Sequence, residues 1–226
     1  MYSLHLGFRE AFVGAICAHM KSFLIGFVSL VGMTSLSHAF VYQLNQKIMN
    51  GTSVEFIEHS GPGAFDNYLM MNLPFEPMAD LFRQLLIVEK TQLTSRGEAH
   101  ITVITPVEFW NVLRPKSITM DEINEMARQM EIQRSEFNVV CLGRGTALVE
   151  GKQETAYFVV VKSEKLLRIR KEVQKMFVAR GGAESDFLPD RFYPHITLGF
   201  TKRDLHESDG VVKDVSSCRH QISMVQ

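Results

Sequence analysis

Two short segments of this chain repeat one pattern, in which a histidine and a threonine are separated by a single apolar residue. Residues 99–103 read AHITV and residues 194–198 read PHITL. A single histidine of this kind is usually a partly buried strand residue with no catalytic role. Two near copies with apolar residues at the same places are an improbable accident, and they indicate one paired functional site.

The paired residues suit hydrolysis at phosphorus. Side chains alternate between the faces of a strand, so His100 and Thr102 are predicted to share one face, as are His195 and Thr197. Near neutral pH a neutral imidazole can take a proton from water while a protonated one gives a proton to a leaving oxygen. The threonine hydroxyls can donate hydrogen bonds to non-bridging phosphoryl oxygens. This chemistry requires no metal and no cofactor.

Two other functions could use the same residues. One is a zinc hydrolase with the ligands His100, His195, Asp204 and His206, although their spacing differs from the H-E-x-x-H type. The other is a binding module that captures nucleotides without turnover. The complete set of histidines and threonines favours catalysis over binding alone.

Residues beside the motifs are candidates for substrate binding. Arg191 could pair with a phosphate, and Tyr193 or Phe192 could stack on a base. A surface arginine and core aromatic residues are equally compatible with this segment. Phe109 and Trp110 invite the same idea of stacking, although a lone tryptophan is more often a core residue.

The other charged residues near the motifs are less informative. Asp204 and His206 follow the second motif closely and could orient His195, but a solvent-exposed turn is the favoured interpretation. His59, in a loop rich in glycine and proline, and His220, near the end of the chain, are predicted to be exposed.

The motifs must be positioned by strands and helices, which the hydrophobic periodicity predicts in a mixed order. Strands are expected at residues 68–73, 99–104, 137–142, 146–150, 156–161 and 195–200. Helices are expected over residues 78–86, from a capping box at Thr119 and Glu122, and from Ser163 to the glycines at 181–182. Gly151 is expected to turn a hairpin. This order predicts an α+β protein with helices covering one face of each sheet.

The two motif segments resemble the two-histidine (2H) phosphoesterases, a superfamily that includes the LigT-like and cyclic phosphodiesterase proteins. Residues 97–106 and 193–200 are most similar to the branch called Swiss army knife RNA repair-like, and the resemblance covers about residues 68–200. It implies two antiparallel sheets flanked by helices, in two lobes related by a pseudo-twofold axis with a central cleft. It also implies a metal-independent phosphodiesterase that acts on 2′,3′-cyclic phosphate ends or cyclic nucleotides.

Charge limits the partners of this protein. The 226 residues carry 24 Lys and Arg against 25 Asp and Glu, a formal net charge of −1. Such a chain offers no overall positive field that would hold a long nucleic acid. A small nucleotide or an RNA-end phosphodiester remains a suitable substrate, and a monomer is expected.

The first forty residues predict export. From Met20, a lysine, an apolar run and the small-x-small site at residues 37–39 have the anatomy of a signal peptide, with residues 1–19 as an upstream extension. An uncleaved N-terminal anchor is the alternative. We therefore divide the chain into residues 1–39, an N-terminal segment at 40–66 and a phosphoesterase-like domain at 67–226, exported to a periplasmic or extracellular location without a membrane span after cleavage.

The three cysteines are too few for a zinc cluster or a disulfide scaffold. Cleavage of the signal would leave Cys141 and Cys218, which an oxidising compartment would allow to pair. Two separate buried thiols are an equally good interpretation, because pairing requires Cα atoms within about 7 Å.

Overall fold

Strands and helices alternate along the part of the chain that the computed structural model describes, residues 40–226. The predicted signal peptide and its upstream extension lie outside the described residues. The strands are β1 (Tyr42–Asn45), β2 (Leu69–Asn72), β3 (Thr94–Ser95), β4 (His100–Ile104), β5 (Asn138–Val149), β6 (Lys152–Lys162), β7 (His195–Phe200), β8 (Cys218–His220) and β9 (Ile222–Val225). The helices are α1 (Glu76–Glu89), α2 (Pro106–Glu108), α3 (Met120–Gln129) and α4 (Glu164–Ala179). The predicted α+β class is confirmed.

The strands form three separate sheets. Strands β2 and β4 make an antiparallel pair, and β1 and β9 make a parallel pair. The remaining five form an antiparallel sheet in the order β3-β7-β6-β5-β8. The two histidine motifs therefore begin strands of different sheets, the first in the β2–β4 pair and the second in the five-stranded sheet.

Local sequence accounts for the ends of the main helices. Thr119 and Glu122 form the predicted capping box at the start of α3, with each side chain bonded to the backbone of the other residue. Ser163 caps α4 by accepting a hydrogen bond from Leu166 N. Helix α4 ends before Gly181, whose φ of 76° is in the left-handed region that favours glycine. These helices pack on each other, and α4 also packs on β4.

Strand β5 differs from the prediction, because it runs unbroken through residues 143–145, where we expected a gap between two strands. The two glycines in that stretch allow close packing. A Cβ at Gly145 would collide with the Val211 side chain, and a Cβ at Gly143 would collide with Phe158. Because these glycines lack side chains, the segment that begins at Val211 can lie directly against β5. The predicted hairpin at Gly151 is confirmed, with φ of 77° there.

The segment 40–66, which the sequence analysis separates from the domain, contributes to the same core. Tyr42, Leu44 and Ile48 are fully buried within the main apolar cluster. Strand β1 pairs with β9, so the two ends of the described chain meet. The first strand predicted from the sequence begins at Tyr68, but regular structure begins earlier, with β1.

A disulfide joins Cys141 of β5 to Cys218 of β8, with their Cα atoms 5.7 Å apart. Of the two interpretations of these cysteines, the structure has the paired one. Cys141 belongs to a small second apolar cluster that also contains Phe158, Leu205 and Val211. Over residues 40–226, no helix is both long enough and apolar enough to cross a membrane.

Candidate active site

The first motif has the predicted alternation on β4. Ile101 and Val103 are buried in the main core, whereas Thr102 between them is only partly buried. His100 begins the strand with 8% of its surface exposed, and it lies opposite Asn72 of β2. The apolar residues thus anchor the strand and leave the imidazole and the hydroxyl on its other face.

The second motif begins β7, where His195 lies opposite Val160 and Thr197 lies opposite Phe158. The Nδ1 atom of His195 is 2.7 Å from the carbonyl oxygen of Tyr193. A carbonyl can only accept, so Nδ1 carries the proton and Nε2 carries the lone pair in the neutral ring. The Nε2 atom is the one available for proton transfer.

Lys213 contacts that nitrogen. Its Nζ lies 3.2 Å from His195 Nε2 and donates to it. The same Nζ donates to Asp204 Oδ1 at 2.7 Å. The Lys213 side chain is only 4% exposed, so the ammonium is held inside the protein between the imidazole and the carboxylate.

Asp204 organises the second motif. Its Oδ2 accepts a hydrogen bond from Thr197 Oγ1 at 2.9 Å, and its Oδ1 accepts one from Leu205 N at 2.9 Å. Burial raises the pKa of Asp204, but the Lys213 ammonium outweighs this effect and the net pKa is lowered. Asp204 is therefore ionised and acts only as an acceptor, so the Thr197 hydroxyl proton points at Asp204.

The first motif has fewer partners. Glu98 Oε1 lies 3.5 Å from His100 Nδ1, which is close enough for its charge to oppose the decrease in the pKa of His100. The geometry is not that of a hydrogen bond, and within residues 40–226 this buried nitrogen has no hydrogen-bond partner. His59, which stacks on Tyr68 at 4.2 Å, is near enough for its charge to affect the pKa of His100.

A chain of polar contacts connects the two motifs. Arg96 Nε donates to Glu98 Oε1 at 3.1 Å, and Arg96 Nη1 lies 3.5 Å from Asp204 Oδ2. Contacts therefore run from His100 through Glu98, Arg96, Asp204 and Lys213 to His195. Two cationic side chains, neither of them in a motif, lie on this path.

The imidazoles are both held neutral in the free protein. Burial lowers the pKa of His100 to about 4, with Arg96 adding to the decrease and Glu98 opposing it. Burial, followed by the charge of Lys213, lowers the pKa of His195 to about 3. A charge on His100 contributes to lowering the pKa of His195 as well, so the two rings lie within electrostatic reach of each other.

Arg170 ties the loop before the second motif to the strand of the first. This side chain of α4 is almost fully buried. It donates to Val103 O at 2.7 Å, to Pro189 O at 3.0 Å and to Glu108 Oε1 at 2.7 Å. One guanidinium thereby fixes the end of β4 and the loop that leads into β7.

The remaining candidates lie in different places. Arg191 is exposed and pairs with Glu207 at 3.0 Å, while Tyr193 touches the site through its backbone carbonyl. Trp110 lies under the guanidinium of Arg114, 4.1 Å from its ring centre, on the wall of a surface cavity of about 550 Å³. Phe109 is a core residue.

Asp204 is a buried residue of the site, and the interpretation of its segment as a solvent-exposed turn is wrong for this side chain. His206, two residues later, is exposed. His59 and His220 are partly buried, so the expectation that both are exposed is also wrong. His59 stacks on Tyr68, and His220 packs against Tyr42.

Sequence reasoning missed Lys213, Arg96 and Glu98. Arg96 and Glu98 precede His100 by only a few residues, and this position could have indicated that they lie near the site. Lys213 follows Val211 and Val212, and a lysine beside apolar residues gives only a weak indication of burial. Within the described part of the chain, no three His, Cys, Asp or Glu side chains are placed to hold a metal ion.

A family model described as "Swiss Army Knife, 2H phosphoesterase domain" matches residues 67–206. The match covers more than half of the chain and includes both histidine motifs. The chain therefore belongs to the 2H phosphoesterase superfamily, which makes it a phosphoesterase by family. No curated protein and no solved structure gives a significant match.

Proposed function

We propose that this protein is a metal-independent phosphodiesterase that hydrolyses a cyclic phosphate or another nucleotide phosphodiester. The observation that carries the proposal is the chain of polar contacts between two histidines on different sheets, with the lone pair of His195 on Nε2. Two imidazoles within electrostatic reach of each other can serve as acid and base in one reaction.

In the proposed reaction, water attacks phosphorus while one imidazole takes its proton. A new P–O bond forms from the water oxygen and one ester P–O bond breaks. The second imidazole, which is neutral in the free protein and takes up a proton when the anionic substrate binds, gives that proton to the departing oxygen, so that a cyclic diester becomes a phosphomonoester. We assign to Arg96 and Lys213 the stabilisation of negative charge on the phosphoryl oxygens in the transition state, because both cations lie on the path of contacts between the two histidines.

The proposed architecture is bilobal, with the two motifs in pseudo-equivalent lobes that flank a central cleft. Two features support it. Each histidine begins its strand, and each of these strands has an antiparallel neighbour. The side chains around the two motifs differ, so any twofold relation would apply to the strands and not to the surrounding residues.

Metal independence is part of the proposal. Both Asp204 oxygens already accept hydrogen bonds, from Thr197 on one side and from Lys213 and Leu205 on the other. A cation at this carboxylate would have to displace a buried ammonium. This arrangement favours acid–base catalysis over the zinc hydrolase in which Asp204 is a ligand.

The proposed substrate is small, a cyclic nucleotide or a short RNA end. The net charge of −1 supports this choice over a long nucleic acid. We also propose that the mature protein is exported. The disulfide supports export, because such bonds persist mainly in oxidising compartments. N-terminal sequencing of protein from the source cells is expected to begin at Phe40, and a cytosolic chain that retains Met1 or Met20 would overturn export.

The test of the activity is a substrate panel given to the purified chain from Phe40 onward. The panel contains cyclic mononucleotides, cyclic dinucleotides and oligonucleotides with 2′,3′-cyclic phosphate ends. We expect hydrolysis of at least one class, unchanged after EDTA treatment. Activity that disappears with EDTA and returns with zinc would establish the metal-dependent alternative. Tight binding of a panel member without turnover would establish the binding module.

A further inference from the structure

Lys213 occupies an unusual position for a lysine. Its ammonium is buried, 2.7 Å from one Asp204 oxygen and 3.2 Å from His195 Nε2, and it lies 5.3 Å from the centre of the Phe158 ring. Burying an ammonium is unfavourable unless a countercharge and hydrogen bonds compensate for the lost water. Asp204 supplies the countercharge, so the site maintains a positive charge at the edge of the catalytic imidazole.

The contact with His195 cannot persist during catalysis. A catalytic imidazole must approach the group whose proton it exchanges to about 2.6–3.2 Å. In the free protein the lone pair of Nε2 accepts a hydrogen bond from Lys213 instead. The reacting phosphoryl group must therefore replace this contact, and it arrives within hydrogen-bonding distance of the same ammonium.

We propose that Lys213 is a further catalytic residue, whose ammonium exchanges its hydrogen bond with His195 Nε2 for one to a non-bridging phosphoryl oxygen of the substrate. The inference rests on the proposed function, since it assumes that a phosphodiester binds between the motifs. Lys213 stays protonated throughout, and its bond to Asp204 is retained. The exchange frees Nε2 and adds a charged donor at the phosphoryl group in the same movement.

Lys213 lies outside the range matched by the family model, which ends at residue 206, and neighbouring residues hold it in place. Val211, two residues earlier, packs on β5 where Gly145 leaves room for it. Cys218, five residues later, is bonded to Cys141 of the same strand. The lysine is thus anchored on both sides to the strand that runs beside β6.

Several charged groups act on this pair and bear on any pH measurement. Burial lowers the pKa of Lys213, Arg96 adds to the decrease, and Asp204 and Asp209 oppose it. The pKa of His195 is lowered by burial, Lys213 and His100 and is raised by Asp204. Exposed His206 is also near enough to be affected by the charges of Lys213 and Asp204. Removing the lysine charge removes one of the two largest causes of the low pKa of His195 and leaves burial as the other.

The first test compares Lys213→Met with Lys213→Arg and with Lys202→Met as a matched control. Lys202 is an exposed lysine paired with Glu150, so its replacement makes the same chemical change outside the site. We expect Lys213→Met to lower kcat/KM by about 10² to 10³, as for loss of one strong transition-state donor. Lys213→Arg should recover part of this loss, and Lys202→Met should equal the parent protein. Full activity in Lys213→Met would overturn the proposal.

Lys213→Met leaves buried Asp204 without its countercharge, which could destabilise the fold. A second variant therefore distinguishes misfolding from loss of a contact with substrate. The double variant Lys213→Met with Asp204→Asn removes both charges. Its amide oxygen can accept from Leu205 N, and its amide nitrogen can donate to Thr197 Oγ1. We expect it to fold, as judged by circular dichroism and urea unfolding, and to remain as slow as Lys213→Met. Recovery of parental kcat/KM in the folded double variant would contradict a contact between Lys213 and substrate.

The last test needs no turnover. The ring resonances of His195 are followed by NMR during titration with acid and, separately, with inorganic phosphate. In Lys213→Met we expect the pKa of His195 to rise toward its ordinary value and the response of its ring to phosphate to weaken. If no panel diester is hydrolysed but the parent and Lys213→Met differ in these two measurements, the proposed activity is rejected and the contact between Lys213 and a phosphate anion is supported. If the parent protein hydrolyses a panel diester but phosphate leaves the His195 resonances unchanged in both the parent and Lys213→Met, the role of Lys213 is rejected and the proposed activity stands.

Discussion

The two histidine motifs have nearly the same sequence but different surroundings. At the second motif, both ring nitrogens of His195 and the hydroxyl of Thr197 have partners, namely Tyr193, Lys213 and Asp204. At the first motif, within residues 40–226, neither His100 nor Thr102 has a hydrogen bond from its side chain. One half of the site is organised by hydrogen bonds before substrate arrives, and the other is held mainly by burial.

This difference shows what a short motif specifies and what it leaves to the rest of the chain. The motif places an imidazole and a hydroxyl on one face of a strand. The charges beside each imidazole come from elsewhere in the chain. After burial, the largest effect on the pKa of His195 is that of Lys213 and the largest charge effect on His100 is that of Arg96, and both lower the pKa. Glu98 opposes Arg96 at His100, whose pKa of about 4 lies above the value of about 3 for His195. The two rings therefore differ in their readiness to carry a proton.

The largest expected effects come from removing either imidazole. His100→Ala and His195→Ala should each lower kcat/KM by about 10² to 10⁴, the usual contribution of general acid or base catalysis. The double variant should be little slower than either single one, because an acid without its partner base has little left to do. Steady-state kinetics on the best panel substrate measures these losses.

His220→Ala is the control for this series, since His220 lies beside Glu89 and not at the site. Urea unfolding of the same variants sharpens the comparison. His195→Ala should be the less stable variant, because it removes one of the two partners of Lys213, which keeps only Asp204, and the partner of the Tyr193 carbonyl, while His100→Ala breaks no hydrogen bond. Parental turnover by His100→Ala would reject the two-histidine mechanism.

Replacing the threonines should distinguish the two motifs more clearly than replacing the histidines. The Thr197 proton is engaged by ionised Asp204, so only Thr102 is free to donate to a phosphoryl oxygen in the ligand-free protein. Thr102→Val should lower kcat by about 10² to 10³. Thr197→Val should have a smaller effect on kcat and should lower the free energy of unfolding by about 1–3 kcal/mol, because it leaves a buried carboxylate with a missing partner. Equal kinetic losses at unchanged stability would contradict this division.

Much of the site was predictable because strands impose a period of two. His100 and Thr102, with Ile101 between them in the core, follow from that period alone. The same holds for the capping box at Thr119, whose partner lies three residues away. Such signals are local, and nothing distant in the chain alters them in this protein.

The rest depended on contacts between distant segments. Lys213 meets His195 only because β5 continues through Gly143 and Gly145, and glycines in a sequence suggest a turn more readily than close packing. Arg170 looks like a surface residue of an amphipathic helix until its carbonyl partners at residues 103 and 189 are known. Short strands such as β3 and β8 carry too few residues to show a period.

The disulfide lies in the five-stranded sheet that contains the second motif, so removing it tests the stability that the cross-link gives to this sheet. Its cysteines are 77 residues apart, and a cross-link of that span is expected to stabilise the fold by about 2–4 kcal/mol. Cys141→Ala with Cys218→Ala should therefore lower the urea midpoint. Reductant should lower the midpoint of the parent protein and should not affect that of the double variant. A parent protein insensitive to reductant in urea would contradict a stabilising role.

The pH dependence of stability again distinguishes the two imidazoles. The folded pKa is about 4 for His100 and about 3 for His195, against an ordinary value of 6.5. Between the folded and ordinary values the unfolded chain binds more protons than the folded one, so stability rises with pH in that window. Each histidine's contribution is fully present above about pH 6.5 and is lost as pH falls, with a slope of at most about 1.4 kcal/mol per pH unit.

Replacing each ring by a neutral amide isolates its share of that slope. His100→Gln and His195→Gln should each lose less stability than the parent protein between pH 7 and pH 5, by urea unfolding at matched ionic strength. The pKa of His195 is the lower one, because Lys213 acts on it in addition to burial. Lys213→Met should therefore flatten the slope of the parent protein, and it should flatten that of His195→Gln less, through His206 alone. Identical slopes in all of these proteins would show that neither ring is held neutral by the fold.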